Sequence, residues 1–253
     1  MQNSVTLTAV SHIPDIQPGD DLAGIILAAI SQNGLALQAG DVLAIAQKVV
    51  SKAEGRFVCL RTVEPDEKAK RVAEIVDKDP RLVALILQES AEISRIKRGV
   101  LITTHRLGFT SANAGIDHSN VGKDDETVLL LPQDPDGSAE AIRQRILAET
   151  GVSVGVVITD SHGRPFRLGT VGVAIGVAGI PALWDRRGEP DRYGYILQHT
   201  DVGVADEIAA AAGLLMGQGS EGTPVVILRG LRLPEVPGKA ADLVRPKSLD
   251  LYR

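Results

Sequence analysis

Apolar runs of strand length and amphipathic helical stretches follow one another along this chain without a regular strand-helix-strand rhythm. This irregular order argues for an α+β fold with mixed or antiparallel sheets and flanking helices, rather than a Rossmann or P-loop arrangement. Asp20 is positioned to cap a helix running to about Ser31, along which Leu22, Ile25, Ile26 and Ala29 form a helical stripe. Residues 41–50 read as a strand. A charged helix is expected from Pro65 to Lys78, and a second over residues 80–90 carries Leu82, Val83, Leu85, Ile86 and Leu87. Residues 100–104 and 128–131 read as strands on either side of an asparagine-rich loop, and residues 138–149 as an amphipathic helix ended by Gly151. Residues 154–158 form a short buried strand, residues 170–180 are rich in small side chains, and residues 201–216 read as an alanine-rich helix running into a strand at 224–228.

With 253 residues and 44% hydrophobic content, the chain can bury one large core as a single folding unit or as two interleaved lobes, and no linker-like run divides it. No stretch approaches the roughly eighteen uninterrupted apolar residues of a membrane span, and the N-terminus carries no charged-then-apolar signal pattern, so the expected location is the cytoplasm, off the membrane. A formal charge of -5 argues against nucleic acid as a partner, while Arg164 with Arg167 can still meet an anionic small molecule. The lone Cys59 can form neither an intramolecular disulfide nor a CxxC metal motif. Its neighbours Phe57, Val58 and Leu60 suggest a strand and a buried, inert thiol.

Three segments carry chemistry. Ser111-Ala-Asn-Ala-Gly-Ile-Asp117-His-Ser-Asn120 sets a carboxylate and two amides around a permissive glycine. The strand ending at Ile158 runs into a second loop, Thr159-Asp160-Ser161-His162-Gly163-Arg164-Pro165-Phe166-Arg167, where an acid and a hydroxyl meet two arginines. Carboxylate and hydroxyl oxygens suit a hard cation, and the arginine fork suits phosphate or carboxylate oxygens, so the two loops together suggest a metal-phosphate site. The third segment is a hydrophobic strand ending in Gln47, Lys48, Ser51 and Lys52, where one lysine is positioned to clamp a phosphate. Taken singly, Asp117 reads as a turn former, Arg164 and Arg167 as partners of surface acids, and His118 and His162 as polar surface groups. Trp184 and Tyr193 read as packing residues.

Gly217-Gln-Gly219-Ser-Glu-Gly222 matches G-x-G-x-x-G, but it follows a helix and opens a strand, the reverse of the dinucleotide fingerprint. Its glycines let backbone amides approach phosphates closely, or simply turn a helix into a strand.

Gln47-Lys-Val-Val-Ser-Lys-Ala-Glu-Gly55, Ala112-Asn-Ala-Gly-Ile-Asp-His-Ser-Asn120, Thr159-Asp-Ser-His-Gly-Arg-Pro-Phe-Arg167 and Arg245-Pro-Lys-Ser-Leu-Asp-Leu-Tyr-Arg253 occur in this order across essentially the whole chain. In them the sequence resembles the coenzyme F420-0:L-glutamate ligase family, the gamma-glutamyl ligases of deazaflavin coenzyme biosynthesis. The similarity is to the standalone form, without the C-terminal flavin-binding, nitroreductase-like domain of some members. The resemblance implies a homodimeric ligase that joins L-glutamate to coenzyme F420-0, first by an amide bond and then through gamma-linkages. GTP is the implied co-substrate, giving GDP and phosphate through an acyl phosphate. Two divalent ions, Mg²⁺ or Mn²⁺, are implied, with K⁺ as a further candidate.

Matched residue by residue, Asp117 and Asp160 correspond to the family's metal-binding aspartates, Ser161 to a metal-binding hydroxyl residue and Gln218 to a ligand in the second-metal loop. Ile13, Pro14, Asp15 and Ile16, together with Lys52, Asn120 and the turn Met216, Gly217, Gly219, Ser220, Glu221 and Gly222, correspond to nucleotide-binding positions, as does Gln47 where some members carry serine. Asp117, Asp160, Arg164 and His162 are the expected catalytic group. Two competing readings are a metal-dependent amide ligase or phosphoryl-transfer enzyme with another acceptor, and a non-enzymatic nucleotide- or coenzyme-binding module. The paired acids argue against the second.

Overall fold

A computed structural model describes residues 4–122 and 124–250, so Leu251, Tyr252 and Arg253 of the last motif lie outside the described residues. The chain runs β1 (Thr6–Ala9), α1 (Leu22–Gln32), β2 (Val42–Ala46), α2 (Gln47–Ala53), β3 (Phe57–Cys59), α3 (Glu67–Val76), α4 (Pro80–Gln88), β4 (Ser90–Lys97), β5 (Val100–His105) and β6 (Thr110–Ala112). It continues through β7 (Thr127–Leu129), α5 (Pro135–Thr150), β8 (Gly155–Arg164), β9 (Arg167–Ala178), β10 (Trp184–Asp185), β11 (Asp201–Val202), α6 (Val204–Met216) and β12 (Val225–Arg229).

The main sheet has the order β1-β12-β2-β8-β9 and is mixed: β2 and β8 run parallel, and the other neighbours are antiparallel. Alternation along β2 divides its side chains between two cores. Leu43 and Ile45 join Ile26 of α1 and Ile146 of α5 on one face, while Val42 and Ala44 join Ile208, Ala209 and Ala212 of α6 on the other. Cover on both faces explains why β2 reads as a continuous apolar run. A smaller antiparallel sheet, β4-β5-β6, packs Leu101 against Val72 and Val76 of α3 and Val83 and Ile86 of α4. The architecture is therefore α+β with mixed and antiparallel sheets, as the irregular element order suggests.

Five local expectations are corrected. Asp21, not Asp20, caps α1 by accepting from Gly24 N at 3.1 Å, whereas Asp20 accepts from Gln17 N in the preceding turn. The strand expected over 41–50 stops at Ala46, because Gln47, Val50 and Ser51 bury an i, i+3, i+4 stripe that the backbone satisfies as helix α2. Residues 159–164 are not a loop but the outer half of β8, paired antiparallel with β9 with a register shift between Gly163 and Arg164. Cys59 is half-buried, and Tyr193 stands 89% exposed.

β9 is small-residue-rich where helices cross it. A side-chain carbon at Gly172 would lie 2.3 Å from the Ala209 carbonyl oxygen of α6, and one at Gly176 would lie 2.4 Å from the Pro135 carbonyl oxygen at the start of α5. Neither backbone can yield without moving a helix. Gly176→Ala is therefore expected to lower stability by about 1–3 kcal/mol, the usual cost of overpacking. A fall in the urea midpoint would register this, and an unchanged midpoint would refute the close approach.

Candidate active site

Ala46, the last residue of β2, is in register with Thr159 of β8. Because the two strands are parallel, the residues that follow, Gln47 and Lys48 on one and Asp160 and Ser161 on the other, emerge at the same end of the sheet. A cavity of about 540 Å³ opens there, lined also by Ile13, Pro14, Asp15 and Ile16 and by the turn after α6. Helix α2 begins at the cavity, so Lys48 and Lys52, four residues apart, both face it. Lys48 Nζ lies 3.2 Å from Asp117 Oδ1, and Lys52 Nζ lies 3.8 Å from Asp15 Oδ1.

Asp117 arrives on a tightly wound segment. Asn113 and Ala114 are both left-handed at φ 52°, and Asn120 is at φ 57°. Backbone hydrogen bonds of 2.9 Å in each direction then tie Asp117 to Leu129 of β7. Its carboxylate accepts from Gln47 Nε2, whose Oε1 accepts from Ser51 Oγ at 2.9 Å. Gln47, 2% exposed, therefore spends its amide on orienting Asp117 rather than reaching into solvent. Asn120 Nδ2 donates to the Gly219 carbonyl oxygen at 3.0 Å, joining this segment to the glycine-rich turn.

The two aspartates are driven apart in proton affinity. Burial raises Asp117 to about 6, with Asp160 adding to the rise and Lys48 and Gln47 opposing it. Burial also acts against the charge on Asp160, but the hydrogen bond and charge of His162, the Ser161 amide and Lys48 outweigh it and hold that carboxyl below the usual range. One site thus holds an acid that is reluctant to ionise beside one that is fixed as a carboxylate.

The structure brings Ile13, Pro14, Asp15, Ile16, Gln47, Lys52, Asn120, Asp160, Ser161, Met216, Gly217, Gln218, Gly219, Ser220 and Gly222 to the cavity wall, with Asp117 held against Gln47 and Lys48. Three other expected residues sit differently. His162 is buried behind Asp160, 2.9 Å from its Oδ2, and faces the Phe109 ring. Arg164 lies toward the β8–β9 tip, where Nη2 donates to the Leu168 carbonyl oxygen at 3.3 Å. Glu221 turns back onto its own loop and accepts from Gly219 N at 2.8 Å; the turn's amides, its own and that of Gly219 first, hold its carboxyl low. Sequence reading did not anticipate the hold of Lys48 and Gln47 on Asp117. The available signal was the i, i+3, i+4 burial pattern that makes residues 47–53 a helix.

Asp117, Asp160, the Ser161 hydroxyl and the Gln218 amide carbonyl are hard oxygen donors, which fits Mg²⁺ or Mn²⁺. Among the described residues no three His, Cys, Asp or Glu side chains cluster as a metal-ligand set. Asp117 also has a stability consequence. The unfolded carboxyl, near 3.8, ionises before the folded one, so this group's contribution to stability falls as pH rises from about 4 to about 6 and is level above that. In metal-free protein the Asp117 carboxyl carbon resonance is expected to inflect near pH 6, and that of Asp160 below 3.8. A common inflection for both would refute the asymmetry.

Residues 11–230 match the family described as F420-0:Gamma-glutamyl ligase. The chain is 47% identical over 251 residues to the Coenzyme F420:L-glutamate ligase of Methanothermobacter thermautotrophicus, covering 98% of this chain and 99% of that one. It is 49% identical over 243 residues to the protein of the same name from Methanopyrus kandleri, covering 94% and 93%. A third, from Archaeoglobus fulgidus, is 43% identical over 249 residues, covering 98% and 96%. With the family match spanning most of its length and relatives aligned nearly end to end, this chain belongs to the F420-0:gamma-glutamyl ligase family.

Proposed function

We propose that this protein is a GTP-dependent ligase that adds L-glutamate to the deazaflavin coenzyme precursor F420-0, first by an amide bond and then through gamma-linkages. The observation that carries this reading is the convergence of paired carboxylates, two lysines and a glycine-rich turn on one cavity, in a chain whose relatives are named for joining L-glutamate to coenzyme F420. An amide does not form from carboxylate and amine in water without a leaving group, and phosphorylation supplies one. An oxygen of the acceptor carboxylate attacks the γ-phosphorus of GTP, the bond to the bridging oxygen breaks, and GDP departs. The neutral amine of glutamate then attacks the acyl carbon, phosphate leaves with the bonding pair, and the nitrogen loses a proton.

Asp117, Asp160, Ser161 and Gln218 are the residues that would hold Mg²⁺ or Mn²⁺, which would neutralise phosphate charge along the line of attack. Lys48 and Lys52 add positive charge to the phosphate path, and the amides of residues 217–222 suit phosphate oxygens. Gln47 and His162 keep the two carboxylates aimed, each through one hydrogen bond. We further propose that the working form is a homodimer.

Purified protein incubated with F420-0, L-glutamate, Mn²⁺ and either GTP or ATP is expected to give a product heavier by one glutamyl unit or more, with equimolar phosphate release, when GTP is present. Nucleotide hydrolysis without that mass increase would point to another acceptor, and silence in both channels to a binding module. Asp160→Asn, which keeps the shape of the side chain, is expected to lower kcat on the order of a hundredfold or more through lost charge stabilisation, with the circular dichroism spectrum unchanged. Retained turnover at saturating Mn²⁺ would remove Asp160 from the site. Light scattering at micromolar protein checks the dimer, and a monomer mass would overturn it.

A further inference from the structure

A second cavity, of about 230 Å³, lies beside the larger one across a hydrogen-bonded pair: Asp160 lines the first and His162 lines the second. Its walls are apolar where Phe109, Ile175, Leu243 and Val244 close it, and two charged side chains, Asp206 and Arg245, also line it. Asp206 accepts from Ala174 N at 2.8 Å through Oδ1, yet among the described residues no lysine or arginine pairs with its carboxylate. Burial raises the proton affinity of that carboxyl, with the Ala174 amide and the His162 charge only partly opposing the rise. An incompletely compensated carboxylate in a half-closed cavity is costly unless a cation joins it. Arg245 likewise pairs with no acid among the described residues. The cavity therefore presents one acidic and one basic side chain, neither of which has an ion-pair partner of opposite sign among the described residues apart from the neighbouring imidazole.

We propose that this second cavity binds the incoming L-glutamate, with its ammonium group on Asp206 and a carboxylate on Arg245, next to the Asp160–His162 pair that borders the phosphate site. A zwitterion is the ligand that satisfies both side chains at once, and the cavity has room for one amino acid but not for a nucleotide. The guanidinium fork suits a carboxylate in a way that a lysine would not. This assignment rests on the ligase reading, which requires an amine close to the activated acyl carbon while the nucleotide occupies the larger cavity. The bland role for Asp206, fixing β9 to the first turn of α6 through the Ala174 amide, needs only a side-chain carbonyl oxygen.

Asp206→Asn separates the two roles, because asparagine keeps the acceptor for Ala174 N and removes the charge. Steady-state kinetics with GTP and L-glutamate varied in turn are expected to give a KM for L-glutamate raised on the order of tenfold or more in Asp206→Asn and in Arg245→Gln, the loss of one charge-assisted hydrogen bond in each case. The KM for GTP should stay within about twofold, since neither change removes a group from the nucleotide cavity. Unchanged KM values for L-glutamate in a wild-type protein that makes glutamylated product would overturn the site and leave the ligase reading standing. Absence of glutamylated product from the wild type would overturn the ligase reading itself. Should Asp206→Asn melt well below the wild type, the exposed Arg245→Gln variant decides: a KM for L-glutamate within about twofold of wild type refutes the site.

Discussion

Ala46 and Thr159 close the parallel pairing of β2 with β8, and the candidate site follows from that register. Parallel pairing is the one arrangement in this sheet that sends two chain segments more than a hundred residues apart out of the same edge together. It sets the start of α2, with Gln47 and Lys48, beside Asp160 and Ser161. Ligands commonly bind beyond the carboxyl ends of parallel strands, where backbone direction changes and side chains can converge. Antiparallel β12 and β9 on either side extend the sheet, and α1, α5 and α6 cover both faces so that the pair stays dry. The glycines of β9 serve the same end, since close helix packing holds the outer half of β8 extended and presents Asp160 inward.

Within that frame, electrostatics divides two aspartates into different states. Asp117 has a lysine and a glutamine as partners and is raised, whereas Asp160 has a histidine and is lowered, although both are largely desolvated. The difference lies in the partners, because desolvation disfavours the charge of each. With one carboxyl held ionised and the other titrating near 6, the pair carries two full charges only above that pH, and below it the mutual repulsion is partly relieved. His162 earns its place in this arrangement from behind, in contact with the Phe109 ring and out of the larger cavity.

Much of the site could be read as motifs. The Asp160 segment, Lys52, Asn120, residues 13–16 and most of the turn at 216–222 line one cavity, with Asp117 held beside it by Gln47 and Lys48. The fold class was readable too, since irregular alternation of apolar periods excludes a simple repeating unit. What misled was local ambiguity. The apolar run before Gln47 carries straight into a helix, and only its packing against Asp117 and Ser51 distinguishes a helical stripe from a longer strand. The polar run 159–164 resembles a loop by composition, and its antiparallel pairing with β9, from Thr159 opposite Ala174 to Arg164 opposite Arg167, makes it a strand. Composition cannot report a partner that the chain has yet to reach.

By itself, then, the sequence determined which side chains are available for chemistry and the α+β character of the chain, since both follow from residue type and local period. Tertiary structure decided what each of those side chains does. Gln47 holds Asp117, His162 holds Asp160 and borders a second cavity with Asp206, Glu221 closes on its own turn, and Arg164 stands apart toward the hairpin tip. The physical reason is that orientation, desolvation and partner charge depend on groups brought together from distant parts of the chain. Those non-local contacts fix proton affinity and direction, which no window of sequence contains.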